Sequence, residues 1–143
     1  MPATVPPTGA LPAVTPFLMF EGQAEEAVNW YMSLFPGSAM RHIQRYGPEG
    51  PGREGSIVQA RFELNGREFM CIDSPAKHAF GFTPAISLFV DCESAAEVDR
   101  LYAAFSDGGT VLMPLDAYPF SPRFAWVQDK YGVSWQLHQP PGA

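Results

Sequence analysis

Along this chain a short apolar run, a stretch with apolar residues at helical spacing and several alternating stretches follow one another, and the series occurs twice. LMFEGQAEEAVNWYMSLFPG, beginning at Leu18, aligns with LFVDCESAAEVDRLYAAFSD, beginning at Leu88. Leu18 then meets Leu88, Glu21 meets Asp91, Val28 meets Val98 and Phe35 meets Phe105. Each copy reads as a short apolar strand, an acidic turn and a helix. The first helix carries Ala24, Ala27, Val28, Tyr31, Leu34 and Phe35 on one stripe, and the second carries Ala95, Val98, Leu101, Tyr102 and Phe105. Ser94 followed by Glu97 has the form of a capping box, and Pro36-Gly37 and Gly108-Gly109 end the two helices.

Three strands follow each helix, over roughly 39–46, 56–64 and 68–73 and then 110–114, 123–128 and 133–138. Asn65-Gly66 between two alternating runs predicts a type I′ hairpin. Its counterpart, FAWVQDKYGVSWQL, sets Gly66 against Gly132, Phe69 against Trp135 and Met70 against Gln136. The pattern therefore predicts an α+β fold of two tandem βαβββ modules, over about 15–73 and 84–139 of one domain spanning 15–139. Residues 1–14 read as a disordered or extended proline-containing lead-in and 140–143 as a tail.

Strand alternation also sorts residues by face. Thr15, Phe17 and Met19 share parity, as do Met70 and Ile72, Ala85, Ser87 and Phe89, and Ser134, Gln136 and His138. The opposite parity holds Leu18, Phe20, Phe69, Ile86, Leu88, Val90, Trp135 and Leu137, which should pack under the helices.

A length of 143 residues, 46% of them hydrophobic, suits one domain with a core of its own. The net charge of -6 and the scatter of nine Lys and Arg argue against a nucleic-acid partner. Cys71 and Cys92 lie far apart with no metal-binding spacing, which predicts reduced, buried thiols in a cytoplasmic protein. MPATVPPTGALPAV has no basic region and no long apolar run, so neither a signal peptide nor a membrane anchor is expected.

Catalytic signatures are sparse: His42, His78 and His138 are dispersed, the chain has no GxSxG elbow or P-loop, and its GxGxxG string, Gly50 to Gly55, carries breakers such as Pro51 where a helix would have to start. YGPEGPGREG, from Tyr46 to Gly55, reads as a mobile loop. SPAKHAFGF at 74–82 and PLDAYPFSPR at 114–123 read as aromatic, proline-containing loops. Arg61, Lys77 and Arg123 are the cations placed to meet an acidic ligand.

TPFLMFEGQAEEAVNWYMSLFPGS, FELNGREFMCIDSP and YPFSPRFAWVQDKYGVSWQL resemble the vicinal oxygen chelate superfamily, which includes glyoxalase I and the bleomycin- and fosfomycin-resistance proteins. Within it they are most similar to the PhnB-like branch, whose members often carry the name 3-demethylubiquinone-9 3-methyltransferase. The resemblance spans about residues 15–139. It implies a cupped, glyoxalase-like mixed sheet around a site, and a homodimer.

Metal-dependent members place ligands at the start of each half's first strand and in each half's last strand. Carried over, these positions fall on Thr15 and Ala85 and on Met70 and Gln136, of which Gln136 is the one plausible donor. The resemblance thus implies a site without a metal cofactor. Its lining would include Phe17, Met19, Met70, Ile72, Ser87, Phe89, Gln136 and His138, and its ligand would be a small, largely apolar organic molecule. A divalent-metal lyase or dioxygenase is the alternative the superfamily offers. The methyl transfer in the branch's name is not supported, because a Gly-rich strand-to-helix turn for the nucleotide is missing.

Overall fold

Each helix follows one short strand and precedes three longer ones. The order is β1 (Phe17–Phe20), α1 (Ala24–Leu34), β2 (Ala39–Arg45), β3 (Ile57–Leu64), β4 (Arg67–Asp73), then β5 (Leu88–Asp91), α2 (Ala95–Ser106), β6 (Thr110–Tyr118), β7 (Ser121–Gln128) and β8 (Ser134–Gln139). This computed structural model describes residues 12–142. The predicted lead-in therefore lies, up to residue 11, outside the described residues, as does residue 143 of the predicted tail.

The strands form two four-stranded sheets, ordered β1-β4-β3-β2 and β5-β8-β7-β6. The first strand of each sheet pairs in parallel with the last, and the other pairings are antiparallel. The fold is α+β, with two tandem βαβββ modules. Backbone contacts divide the chain into two compact units, one ending at Lys77 and the other beginning at His78.

In the first unit α1 buries Ala24, Ala27, Val28 and Tyr31 against β3 and β4, where Ala60, Phe62 and Cys71 are fully buried. In the second, α2 buries Val98, Leu101 and Phe105 against β7 and β8. The Phe105 ring stacks on Trp135 with centroids 4.4 Å apart. Asn65 and Gly66 both have positive φ, 49° and 80°, as the type I′ turn between β3 and β4 requires. The Ser94 cap also forms, with a shifted return bond: Ser94 Oγ accepts from the Glu97 N–H, and Glu97 Oε1 accepts from the N–H of Glu93, one residue before the N-cap.

Three sequence expectations need correction. Ile86 does not pack under a helix; it precedes β5 and is 75% exposed, because the strand starts only at Leu88. The stretch 114–123 is a hairpin rather than a loop, with β6 and β7 joined by Pro119-Phe120 and Tyr118 facing Ser121. Pro114 is tolerated because β6 is an edge strand, and at the turn Tyr118 stacks on Phe120 while both meet Phe124 edge to face. Finally, the glycine-containing segment after β2 is tied down. Tyr46 exchanges backbone hydrogen bonds with Gly55 and Ser56, its hydroxyl donates to the Asp73 carbonyl, and Gly52 lies so close to its ring that a Cβ would clash.

One buried carboxylate in each unit fixes the end of the hairpin. Asp73 Oδ1 accepts from the N–H groups of Gly22 and Ala24, 2.8 and 2.9 Å away, and Oδ2 accepts from Ile57 N–H at 2.9 Å. The α1 N-cap residue, Gln23, makes no side-chain cap, so Asp73 caps the helix from β4. Asp129 Oδ1 accepts from the Tyr131 and Val133 N–H groups, and Oδ2 accepts from Trp135 Nε1 at 2.8 Å. It thereby shapes the tight turn that launches β8.

Replacing Asp73 with Ala leaves three backbone donors unpaired in or near the core and should cost about 3–5 kcal/mol in chemical denaturation. Asp73→Asn should fall between, since it keeps the Oδ1 pair but turns an amide N–H toward Ile57. Arg45→Ala, which removes the exposed Arg45–Glu25 pair, should leave the denaturation midpoint nearly unchanged. Hydrogen bonding from Arg45 holds the Glu25 carboxyl below its ordinary value. That small contribution is therefore present at neutral pH and lost as pH falls through the lowered value.

Burial pushes Cys71 and Cys92 up to about 12, with Asp73 adding to the effect at Cys71 and Glu97 at Cys92. At pH 8 a thiolate fraction of about one in ten thousand is expected. A disulfide reagent should label neither thiol in the folded protein and both in denaturant; fast labelling of the folded chain would contradict the burial.

Candidate functional site

Each sheet has one face under its helix and one face away from it, and the candidate chemistry lies on the second. In the first unit Phe17 stands beside Met70 and Met19 beside Ile72, so these four residues form an apolar strip across β1 and β4. Phe17 is 50% exposed, and the other three are partly exposed. Farther across the same face Arg61 pairs with Glu68, and Arg41 grips Glu63 through two hydrogen bonds of 3.0 and 3.1 Å. Those bonds hold the Glu63 carboxyl below its ordinary value.

The corresponding face of the second unit is polar. Phe89 stands beside Gln136, which in turn stands beside Trp126. Trp126 Nε1 donates to Ser134 Oγ at 2.8 Å, Ser134 and Ser87 hydroxyls are 2.7 Å apart, and Gln136 Nε2 donates to Ser87 Oγ at 3.3 Å. Two residues on, His138 Nδ1 lies 2.7 Å from Ser121 Oγ, and its ring meets Phe89 with centroids 5.5 Å apart. Gln136 and His138 project to the same side because they are two residues apart on β8, whereas Trp135 and Leu137 go under α2.

The strand parity expected from sequence thus keeps Phe17, Met19, Met70 and Ile72 together, and likewise Ser87, Phe89, Gln136 and His138. One detail differs. Because Phe17 pairs with Met70 and Phe89 with Gln136, Phe89 rather than Ser87 corresponds to Phe17. On this register Ser87, not Ala85, corresponds to Thr15, and Ser87 is the residue hydrogen-bonded to Gln136. Asp73 faces the helix side, with Cys71, and takes no part. Two of the cations suggested for an acidic ligand are already paired, Arg61 with Glu68 and Arg123 with Asp99.

Sequence reasoning missed Ser121 and Trp126. Trp126 could have been found from its parity with Gln136 once the β7–β8 hairpin was registered, but Ser121 was hidden because residues 114–123 read as a loop. Among the described residues no group of three His, Cys, Asp or Glu side chains is placed to hold a metal ion. Among them, too, no helix is long and apolar enough to cross a membrane.

The fold and the sequence have clear relatives. A PhnB protein from Bacillus cereus is 55% identical, with 89% of this chain and 98% of that one covered and a TM-score of 0.87. The protein PA1353 from Pseudomonas aeruginosa is 28% identical over 88% of this chain and 96% of its own, with a TM-score of 0.78. The fosfomycin resistance protein FosX from Listeria monocytogenes, in a complex with manganese, shares the fold at 10% identity and a TM-score of 0.60, over 93% of this chain and 96% of that one. No curated protein matches the chain. The family model described as 3-demethylubiquinone-9 3-methyltransferase matches residues 12–138, and the chain belongs to that PhnB-like family of the vicinal oxygen chelate superfamily.

Proposed function

We propose that the protein binds a small, largely apolar organic molecule against a helix-free sheet face and uses no metal to do so. The observation that carries this reading lies within the second unit, where Ser87, Gln136 and His138 converge beside the exposed ring of Phe89; the first unit's own face, taken by itself, is an apolar strip of Phe17, Met19, Met70 and Ile72. Apolar lining with a few fixed polar groups is the usual make-up of a small-molecule site.

The donor set suits a divalent metal poorly. The residue matching Gln136 in the first hairpin is Met70, a thioether, and the first-strand positions are hydroxyls, Thr15 and Ser87. A hard cation wants charged oxygens, and a softer one wants imidazole or thiolate. His138 offers one nitrogen, Nε2, its Nδ1 being bound to Ser121. With the Gln136 amide oxygen that makes one imidazole and one neutral oxygen, and among the described residues no three His, Cys, Asp or Glu side chains gather to complete a metal site. The FosX relative was solved with manganese, yet its likeness to this chain extends to the fold alone.

Methyl transfer is equally poorly served. The turns from β1 to α1 and from β5 to α2 are Glu21-Gly22-Gln23 and Cys92-Glu93-Ser94, neither of which is the glycine-rich turn that cradles a nucleotide. A homodimer in the cytoplasm belongs to the same reading, supported by exposed Phe17, Phe89 and Phe120 and by two buried free thiols.

Elemental analysis after incubation with manganese, iron, nickel and zinc should find no retained metal, and none of these ions should raise the melting temperature. Toluene or naphthalene at ten times its dissociation constant should stabilise the fold by about 1.4 kcal/mol. Near-stoichiometric metal that disappears in Gln136→Ala would overturn the reading in favour of a metal enzyme.

A further inference from the structure

The hydrogen atoms in the polar set of the second unit can be assigned one by one. Ser134 is 2% exposed, so its single hydroxyl hydrogen has to be used within the protein. Its oxygen already accepts from Trp126 Nε1, which leaves the Ser87 oxygen, 2.7 Å away, as the recipient of that hydrogen. Ser87 Oγ then accepts from both Ser134 and Gln136 Nε2. Its two lone pairs are occupied, and its own hydrogen is left to donate outward.

The same reasoning fixes the imidazole. Ser121 Oγ donates its one hydrogen to the Arg123 carbonyl at 2.9 Å, so toward His138 it can only accept. His138 Nδ1, 2.7 Å from Ser121, therefore carries the hydrogen, and in the neutral ring Nε2 carries the lone pair. Gln136, whose Nε2 faces Ser87, has Oε1 as a second acceptor with no partner among the described residues.

We propose that the β8 face of the second unit is a hydrogen-bonding site of fixed polarity for an uncharged molecule. In it Ser87 Oγ–H donates, Gln136 Oε1 and His138 Nε2 accept, and Phe89 covers the apolar part. Its ligand class is a planar carbonyl compound with an adjacent N–H or O–H group, such as a primary amide or a hydroxy ketone. The carbonyl oxygen takes the Ser87 hydrogen, and the ligand's hydrogen goes to Gln136 or His138. A carboxylate matches badly, because both acceptors would face its negative charge and the second unit's Arg123 is paired with Asp99. This proposal rests on the small-molecule reading above and adds the polarity of the ligand to it.

The test uses four matched probes on the full chain, followed by NMR: toluene, benzamide, N,N-dimethylbenzamide and benzoate. Benzamide should bind about tenfold more tightly than toluene and than N,N-dimethylbenzamide, and more tightly still than benzoate. Ser87→Ala should lower the ratio of benzamide to toluene affinity about tenfold, whatever it does to the fold by leaving Ser134 without its acceptor. Gln136→Met, which installs the side chain found at the matching position Met70, should do the same without disturbing the buried Ser134. In the unliganded protein the nitrogen resonances of His138 should show a protonated Nδ1 and a pyridine-type Nε2.

A protonated Nε2 in the neutral ring, or benzoate binding as well as benzamide, overturns the assigned polarity. Toluene bound with benzamide no tighter defeats this inference alone and leaves the small-molecule reading standing. No shift with any probe defeats both.

Discussion

A carboxylate taken out of water loses several kcal/mol of hydration, and this chain recovers that cost twice by filling Asp73 and Asp129 with N–H donors. The two differ in reach. Asp73 gathers donors from the entry and first residue of α1 and from the start of β3, so it binds together the helix N-terminus, the hairpin and the parallel pairing of β1 with β4. Asp129 gathers its donors from its own turn and from Trp135, and so sets the direction in which β8 leaves that turn. The turn it fixes leads directly into β8, whose Gln136 lies in register with Phe89 of β5 and Trp126 of β7.

That constraint explains why the two helix-free faces could diverge while the modules stayed alike. The side chains that build the helix side, such as Phe62, Cys71, Trp135 and Leu137, are buried, and their volumes are fixed by packing. Parity sends their neighbours the other way, where a methionine at 70 and a glutamine at 136 have little packing consequence for the helix side. Chemistry could thus change on one face without changing the core. The first unit placed its charges in the Arg61–Glu68 and Arg41–Glu63 pairs, and the second built a chain of neutral hydrogen bonds.

Much of the fold was legible because it is written in local periods. Helical spacing found α1 and α2, Asn65-Gly66 found its hairpin, and Ser94 with Glu97 found a cap. Face assignments survived the register difference between the repeats because that difference is two residues, a full strand period: Phe17 corresponds to Phe89 instead of Ser87, yet neither changes sides. What stayed hidden is non-local. Asp73 meets its partners across 16, 49 and 51 residues of sequence, and no local pattern marks such a role. The strand ends failed for a related reason, since prolines 114, 119 and 122 signal a loop unless the edge position of β6 is known.

The candidate site was half legible in the same sense. Parity grouped Ser87, Phe89, Gln136 and His138, but parity says nothing about where hydrogens go. That depends on Trp126, Ser134 and Ser121, of which Ser121 was hidden in a stretch that read as a loop, and on which groups are too buried to be satisfied by water. Ser134 is the decisive member. Were it exposed, its hydroxyl could turn to solvent and Ser87 could donate inward, and the site would have no preferred polarity. Burial behind Trp126 leaves it a single outlet, so a packing constraint on β7 and β8 becomes a statement about which ligand atoms Ser87 and Gln136 can meet.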